Sequence, residues 1–370
     1  MKIALYNLTT TTKSGGIETF NWELAKALAK RGHAVHIYGG ESSFVYENPP
    51  GIQVFTYPFI RRERFPNFGT RFRRFMERLS LGFHALSDLI KQNYDYLYLI
   101  KPYDIPIALL ASARSKARVI FGSSGTEFFP GYRQAVKKVD YFFTCSEFNA
   151  SQIEDYCGIR PVVVPNGVDT ELFKPLSPDE ELKRTLKLCE QDMTIMTVGR
   201  LVGLKGIKYA IMAVGKLIKK GYGLKYFIIG EGEERDNLEK LVETMQLEKH
   251  IFLLGNIPNS ALPRYYSLAK IAVFSSIAEE AFGISIAEAM ASGVPSVSTA
   301  AGAIPEVVGD AGLLVSPRDD DALADAIERI ISDDTLRKQF SVSGRKRIEE
   351  NFSWDSVVKR FERQLLKGPV

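Results

Sequence analysis

The segment KIAVFSSIAEEAFGISIAEAMASGVPSVS, residues 270–298, decides the fold class because it predicts a complete strand–helix–strand unit. Residues 270–276 form an apolar, β-branched run typical of a buried strand, and residues 295–298 begin a second strand. Residues 283–291 between them have helical composition, and Gly293 is a suitable C-terminal stop. A strand, a helix and a second strand in this order predict parallel pairing across a crossover helix.

The same alternation of short apolar runs with helical segments extends along the chain. The runs are KIALY, AVHIYG, YLYLI, RVIFG, DYFFTCS and PVVVP in the first half, and TIMTVGR, LKYFIIG, HIFLLG, KIAVFSS, VPSVST and GLLV in the second. A polar connection with Pro175 and Pro178 separates the two series. We therefore expect two doubly wound α/β domains facing across a cleft, at residues 1–170 and 171–350. Residues 351–370 have helical periodicity and predict a closing helix that packs back on the first domain.

Composition excludes several classes of protein. The chain has 370 residues, 45% hydrophobic and 25% charged, which is typical of a globular protein with two domains. A formal net charge of +4 is too small to indicate nucleic-acid binding. The three cysteines lack the spacing of a zinc site or a disulfide framework, and no apolar run approaches the roughly 18 residues of a membrane span. We expect a cytoplasmic protein, with any membrane contact peripheral and at the inner face.

Two carboxylates in the opening segment predict a ligand. Glu280 lies in the loop before the predicted helix, and Glu288 lies in its second turn. One interpretation is structural: Glu280 complements the helix N-terminus and Glu288 is solvated. The functional interpretation is that backbone N–H groups of residues 282–284 bind an anion while the carboxylates accept hydrogen bonds from hydroxyl groups. An anion joined to hydroxyl groups is the chemistry of a sugar nucleotide.

Two glycine-bearing turns fit the same ligand. TVGRLVGLKGI follows a strand and offers Arg200 and Lys205 to a diphosphate, although a solvated basic turn has the same pattern. TKSGGIETF follows the first strand, and Gly15 and Gly16 allow the backbone to approach phosphate, although a plain loop is the alternative. Neither this turn nor GEGEER at 230–235 has the GxGxxG pattern of dinucleotide-binding folds.

Together these segments resemble the retaining nucleotide-sugar glycosyltransferases of family 4, which have the GT-B fold of two Rossmann-like domains. The resemblance covers nearly the whole chain and is carried by SGGIETFNWELAKALAKRGHAVHIY, VPNGVDTELFKP, VGRLVGLKG and EAFGISIAEAMASGVPSVS. It implies a metal-independent hexosyltransferase that needs no cofactor and takes a UDP-sugar or GDP-sugar as donor. The donor-binding residues it implies are Gly15, Gly16, Arg200, Lys205, Asn256, Ile257, Pro258, Glu280, Phe282, Gly283, Ile284 and Glu288.

The resemblance also implies roles for these residues. Glu280 would contact sugar hydroxyls, Glu288 the ribose, and Arg200 and Lys205 the diphosphate, while residues 256–258 would border the base. The implied catalytic set is Glu280, Arg200, Lys205, Ser124 and Glu127.

The sequence departs from the family pattern at one turn. Many members have a His-Gly-Thr-Asp-like turn, whereas RVIFGSSGTEFF places Ser124 at the histidine position, followed by Gly125, Thr126 and Glu127. An active enzyme would let a donor phosphate oxygen accept the acceptor's proton, with Ser124 or Glu127 orienting the sugar. The alternatives are a catalytically weak partner subunit that binds nucleotide sugars and a nucleotide-sugar epimerase.

An arginine-rich segment predicts the acceptor side. Residues 61–78 contain seven arginines and two glutamates, a local charge of 7 − 2 = +5, and apolar residues recur at helical spacing beside them. A helix on its own sheet with a solvated basic face is one interpretation. An anionic membrane surface docked through Arg61 to Arg78, or an acidic glycan or lipid-linked acceptor, is the other. We therefore expect a retaining glycosyltransferase of cell-envelope or polysaccharide biosynthesis that transfers sugar to a glycan or lipid-linked acceptor and does not bind nucleic acid.

Overall fold

The chain folds into two compact units, which a computed structural model describes at residues 1–13, 15–46, 48–125 and 127–368. The N-terminal unit comprises Met1–Gly167 and Trp354–Val370, and the C-terminal unit comprises Val168–Ser353. The described helices include none with the length and apolarity that a membrane span requires.

The N-terminal unit is built on a parallel sheet. Among the described residues the sheet has seven strands in the order β3-β2-β1-β4-β5-β6-β7. The strands are β1 (Lys2–Tyr6), β2 (Ala34–Gly40), β3 (Ile52–Tyr57), β4 (Tyr96–Leu99), β5 (Arg118–Ser123), β6 (Tyr141–Thr144) and β7 (Val162–Val163). The helices are α1 (Gly16–Lys30), α2 (Thr70–Lys91), α3 (Ile105–Ser112), α4 (Tyr132–Val136) and α5 (Glu147–Cys157). The strand order reverses between β1 and β4, which makes that pair the switch point of the sheet.

The C-terminal unit repeats this plan. Its sheet has six parallel strands in the described chain, in the order β10-β9-β8-β11-β12-β13, with the switch point between β8 and β11. The strands are β8 (Met193–Val198), β9 (Leu224–Ile229), β10 (Ile251–Gly255), β11 (Ile271–Phe274), β12 (Ser296–Thr299) and β13 (Leu313–Val315). The helices are α6 (Glu180–Thr185), α7 (Ile207–Lys219), α8 (Arg235–Thr244), α9 (Leu262–Tyr266), α10 (Ile284–Ala291), α11 (Ile304–Val308), α12 (Asp320–Ser332) and α13 (Asp334–Asn351).

The prediction of two parallel-sheet Rossmann-like domains is confirmed. The opening segment forms β11, α10 and β12, although β11 is shorter than the predicted strand over 270–276. The inner strands β6, β11 and β12 are buried along their whole length, as strands covered on both faces must be, whereas the edge strands β3 and β10 are mostly half-buried. Helix α7 shows why helices cover the sheets: Ile207, Ile211, Val214 and Leu217 recur at helical spacing and are all buried in the C-terminal core.

The last helix, α14 (Trp354–Leu366), belongs to the N-terminal unit. The Trp354 ring lies 5.5 Å from Phe20 of α1, and Phe361 packs 5.7 Å from Phe143 of β6. Gly167 sits against the same indole, since a Cβ at this position would lie 2.3 Å from the Trp354 ring. The glycine of the VPNGVD segment therefore makes room for the docking of α14.

Replacing Gly167 with alanine tests that contact. We expect Gly167→Ala to lower the free energy of unfolding by about 1–3 kcal/mol, because the added methyl group overpacks a filled core. Denaturant unfolding of the whole chain measures the change. Gly223→Ala is the matched control, since a Cβ there meets nothing within 4 Å. Equal stability of the two variants would contradict this account.

Candidate active site

The predicted donor residues of the C-terminal unit gather at its switch point. Strand β8 pairs directly with β11, and the chain leaves both strands at their carboxyl ends. The turn after β8 carries Arg200 and Lys205, while the loop after β11 carries Glu280. Ligands of doubly wound sheets bind beyond the strand ends where the order reverses. The structure thus brings together two turns that lie about 75 residues apart in the chain.

An ion pair joins these two turns. The Lys205 Nζ atom lies 2.6 Å from Glu280 Oε1, and the Ser276 hydroxyl donates to the same oxygen at 2.7 Å. The Lys205 and Glu280 side chains are 30% and 22% exposed, so a ligand can reach both. Arg200 is exposed on the same turn. The pair offers a cation to phosphate and a carboxylate to hydroxyl groups at one place.

Close backbone packing determines where Lys205 lies. Gly206 has a left-handed φ of 59°, and a Cβ there would lie 2.2 Å from the Ser275 carbonyl oxygen. The Ser275 hydroxyl in turn donates to the Gly206 carbonyl at 2.9 Å. The lysine turn is therefore seated directly on the end of β11.

The glycine-rich segment after β9 supports the arginine turn from the other side. The Leu201 N–H donates to the Glu231 carbonyl at 2.9 Å. A Cβ at Gly230 would lie 1.9 Å from the Gly199 carbonyl oxygen, so only glycine permits this approach. GEGEER is thus a structural brace for the turn that carries Arg200.

The backbone of Glu280 is held by the loop after β12. Glu280 and Gly302 form an isolated parallel bridge, and the Ala303 N–H donates to the Glu280 carbonyl at 2.8 Å. Gly302 has φ 64°, and a Cβ there would lie 2.5 Å from the same carbonyl oxygen. Gly302 and Ser276 were not among the residues predicted from the sequence. Ser276 was placed at the end of the predicted strand over 270–276, and no sequence pattern marks it as a partner of Glu280.

The N-terminus of α10 lies between the two glutamates. Gly283 precedes the helix with φ 100°, and its carbonyl accepts from the Ile286 and Ala287 N–H groups at 3.1 and 3.2 Å. The Ile284 and Ser285 N–H groups precede these bonds and have no intrahelical acceptor by the geometry of a helix. The Phe282 side chain is buried and packs 5.4 Å from the Phe352 ring. Phe282 therefore anchors the turn, and the helix dipole favours an anion at this end.

Glu288 is buried inside α10, so the interpretation that it is solvated is wrong. Its side chain is 7% exposed, and the Asn259 amide donates to Oε1 at 2.9 Å. Burial raises the pKa of Glu288 to about 7, and the hydrogen bond from Asn259 opposes the rise. Asn259 directly follows the predicted base-bordering turn, in which Asn256 and Pro258 are exposed and Ile257 is half-buried. The sequence prediction missed Asn259 by one residue.

The raised pKa of Glu288 predicts a pH-dependent stability. Between about pH 4.5 and 7 the folded chain holds a proton that the unfolded chain releases, so stability falls as pH rises. The slope from this group is at most about 1.4 kcal/mol per pH unit. We expect Glu288→Gln to remove it, so the variant gains stability relative to wild type as pH rises through this window. Urea unfolding across pH 4.5–8 measures the difference.

The control for this prediction is Glu248→Gln, which changes an exposed carboxylate of the same unit. If the difference in the free energy of unfolding between wild type and Glu288→Gln stays constant across this pH window, the raised pKa of Glu288 is contradicted.

The predicted glycines of the N-terminal unit lie beside its own switch point. Gly15 precedes α1 and Gly16 begins it, after the chain leaves β1. A Cβ at Gly16 would meet nothing within 4 Å, whereas one at Gly15 would lie 2.5 Å from a carboxylate oxygen of Glu18. Gly16 thus leaves an open surface at the start of the helix.

Ser124 and Glu127 lie on the turn after β5. Lys101, from the loop after β4, places its Nζ atom 2.7 Å from Glu127 Oε1. Ser124 is half-buried, and Thr126 lies outside the described residues. The turn is anchored by Ser123, whose hydroxyl donates to the Gly125 carbonyl at 2.7 Å. Glu127 is therefore half of an ion pair at the carboxyl edge of this sheet.

Arg78 does not belong to the predicted basic surface. It is buried, pairs with Asp104 and donates from Nη2 to Asn7 Oδ1 at 2.9 Å. Burial raises the pKa of Asp104 to about 6, and the Arg78 guanidinium opposes the rise. The helical periodicity of α2 was predicted correctly. That periodicity does not indicate that residues 102–104 supply a buried partner for Arg78. The surface is thus limited to the arginines that precede Arg78.

Two family models match the chain in succession. "Glycosyltransferase Family 4" matches residues 14–172, and "Glycosyl transferases group 1" matches residues 178–347. The chain belongs to the family 4-type glycosyltransferases. The resemblance seen in the sequence is confirmed. The first matched region of this glycosyltransferase lies mainly in the N-terminal unit, and the second lies in the C-terminal unit.

Individual proteins agree with this assignment. An uncharacterised glycosyltransferase of Methanocaldococcus jannaschii is 27% identical over 364 residues, which cover 93% of this chain and 92% of that protein. A GDP-mannose-dependent monoacylated alpha-(1-6)-phosphatidylinositol monomannoside mannosyltransferase of Corynebacterium glutamicum is 27% identical over 311 residues, 77% of this chain and 80% of that protein. The solved sucrose-phosphate synthase of Thermosynechococcus elongatus matches with a TM-score of 0.82 at 21% identity and 99% coverage of each chain. This last likeness supports the GT-B fold.

Across the described residues, no group of three His, Cys, Asp or Glu side chains is placed to ligate a metal ion.

Proposed function

We propose that this glycosyltransferase is a retaining enzyme that moves a hexose from a UDP-sugar or GDP-sugar to a glycan or lipid-linked acceptor in cell-envelope or polysaccharide biosynthesis. The observation that carries the proposal is the Lys205–Glu280 ion pair at the switch point, beside the N-terminus of α10. Phosphate and sugar hydroxyls are the groups that these cationic and anionic side chains recognise together.

The donor's diphosphate is assigned to the cations and the helix start. Arg200 and Lys205 lie on the turn after β8, and the backbone of residues 283 and 284 opens α10. These groups neutralise the diphosphate as it leaves, which is the task a metal ion performs in other transferases. The proposed enzyme is accordingly metal-independent.

The sugar and the nucleoside are assigned to the two glutamates. Glu280 is open to a ligand and accepts hydrogen bonds from hydroxyls of the donor hexose. Glu288 is buried and accepts a hydrogen bond from the exposed Asn259 on the turn after β10, and this pair is assigned to the ribose hydroxyls. Residues 256–258 on that turn border the base. We further assign Gly15 and Gly16 to binding of phosphate. Ser124 and Glu127 are assigned to orienting the reacting sugar.

The proposed chemistry does not need the family histidine. In front-face retention, an oxygen of the departing diphosphate takes the acceptor's proton as the acceptor attacks the anomeric carbon. Side chains then need only to hold the sugar and stabilise the leaving group.

The acceptor is proposed to be lipid-linked and anionic. The Corynebacterium glutamicum relative is named for a phosphatidylinositol-based acceptor, which supports this choice. On this chain, Arg71 and Arg74 are exposed near the start of α2. Phe68 directly precedes the helix and is 76% exposed. Arginines with exposed aromatic side chains favour a peripheral site on an anionic membrane surface.

A turnover assay tests the proposed function. The chain is incubated with UDP-hexoses and GDP-hexoses, with and without membrane lipid extract as acceptor, and nucleoside diphosphate is measured. Release that depends on the acceptor, with the product's anomeric configuration retained, supports the proposal. An altered hexose still joined to the nucleotide identifies an epimerase. Binding without release identifies a partner subunit.

The division between the two glutamates predicts different binding losses. We expect Glu288→Ala to weaken UDP or GDP and the matching sugar nucleotide alike, roughly tenfold or more, because a hydrogen-bonded carboxylate is lost. Glu280→Ala should weaken the sugar nucleotide by a similar factor and free UDP or GDP much less. Calorimetric titration measures both. Equal losses for the two ligands in Glu280→Ala would contradict its assignment to the sugar.

The basic surface predicts salt-sensitive membrane binding. We expect Arg71→Glu with Arg74→Glu to abolish sedimentation with phosphatidylglycerol vesicles at low salt, because electrostatic attraction becomes repulsion. Arg114→Glu with Lys138→Glu changes the net charge equally at exposed positions of other segments and should retain binding. Unchanged sedimentation of the Arg71 and Arg74 variant would remove the proposed surface.

A further inference from the structure

The two oxygens of the Glu280 carboxylate have different surroundings. The Ser276 hydroxyl and the Lys205 ammonium group both bind Oε1, at 2.7 and 2.6 Å. Within the residues that the structure describes, these side-chain hydrogen bonds to Glu280 both end on Oε1. Oε2 therefore keeps its lone pairs for a ligand.

The two donors differ in how firmly they are held. Ser276 is 4% exposed, and its carbonyl accepts a hydrogen bond from the Thr299 hydroxyl at 2.6 Å. Lys205 reaches Oε1 through a flexible four-carbon stem and is partly exposed. Ser276 is thus a fixed anchor, whereas the lysine is free to exchange partners.

The backbone of Glu280 is fixed as well. The Ala303 N–H binds its carbonyl, and Gly302 packs against its peptide where a Cβ would overlap. With the backbone held at one end and Oε1 held at the other, the carboxylate has a defined orientation.

We propose that Ser276 is a positioning residue for the donor hexose. It holds Oε1 so that Oε2 accepts a hydrogen bond from one sugar hydroxyl, including when the diphosphate draws Lys205 away. The inference rests on the proposed role of Glu280 as the sugar contact. Ser276 then governs which hexose is accepted and has little effect on the binding of the nucleoside diphosphate.

Ser276 in this role affects sugar selection and not nucleotide binding. A directed acceptor oxygen rewards a hydroxyl at one position and penalises the epimer that lacks it there. A carboxylate that rotates freely would follow either epimer and discriminate less.

The test compares wild type with Ser276→Ala, Ser276→Thr and Ser298→Ala. Ser298 is another buried serine of the same sheet, bonded to Ser296 at 2.7 Å, and controls for the loss of a buried hydroxyl. The probes are UDP and GDP, UDP-glucose with UDP-galactose, and GDP-mannose with GDP-glucose. Calorimetric affinities, and KM and kcat where turnover occurs, are measured for each.

Ser276→Ala should leave the affinity for UDP or GDP within twofold of wild type. The preferred hexose makes the sugar nucleotide bind more tightly than the nucleoside diphosphate alone, and Ser276→Ala should reduce this gain roughly tenfold. It should also reduce the preference for that hexose over its epimer roughly tenfold. The loss should appear mainly in KM. Ser276→Thr keeps the hydroxyl and should recover most of the epimer preference, while Ser298→Ala should resemble wild type in both.

Other outcomes overturn the inference. Equal weakening of nucleoside diphosphate and sugar nucleotide in Ser276→Ala would assign the serine a purely structural role. An unchanged epimer preference would show that the anchor is dispensable. Glu280→Gln separates the two levels of the proposal: if it leaves the extra affinity for the hexose intact, or if wild type binds none of the probes, the proposed function itself fails.

Discussion

The direct pairing of β8 with β11 is the constraint on which the candidate site depends. Ile195 and Ile271 are partners in that register, so the chain leaves both strands side by side at one edge of the sheet. Helices that follow the two strands start from neighbouring points, and their first turns share one space. The Lys205–Glu280 pair is a consequence of this topology, because residues far apart in sequence emerge from adjacent strand ends.

Glycines then convert neighbouring loops into a single rigid surface. Gly206 lets the lysine turn rest on the Ser275 carbonyl, and Gly302 lets the loop after β12 rest on the Glu280 peptide. In both places a side chain would occupy the volume of a backbone atom, so the packing depends on the missing Cβ. Backbone contacts of this kind position Glu280 without any contribution from a bound ligand, which is the preorganisation that transfer chemistry exploits.

The sequence predicted the parts of this arrangement that are local and periodic. Residues 270–298 contain their own strand, helix and stop signals, and the order of those signals fixes a parallel pair. Contacts between segments that are distant in the chain could not be predicted from the sequence. Buried Glu288 accepts its hydrogen bond from Asn259 on another turn, and buried Arg78 pairs with Asp104 from another loop. The same limit hid Ser276, because a serine after a strand has no pattern until the loop curls back to place Glu280 within 2.7 Å of it.

The two glutamates of the opening segment differ in environment, and that difference fits the two roles proposed for them. Glu280 has an ammonium group and a hydroxyl on one oxygen and remains accessible, which suits a carboxylate that accepts hydrogen bonds from an exchanging sugar. Glu288 has a neutral amide for a partner and a pKa of about 7, so near neutrality it holds a proton part of the time. A carboxyl group in that state can donate to one ribose hydroxyl or accept from it. Since burial without a cation destabilises the charged form, a bound nucleoside that donates two hydroxyl hydrogen bonds would lower the pKa of Glu288 and be held more tightly above pH 7 than below it.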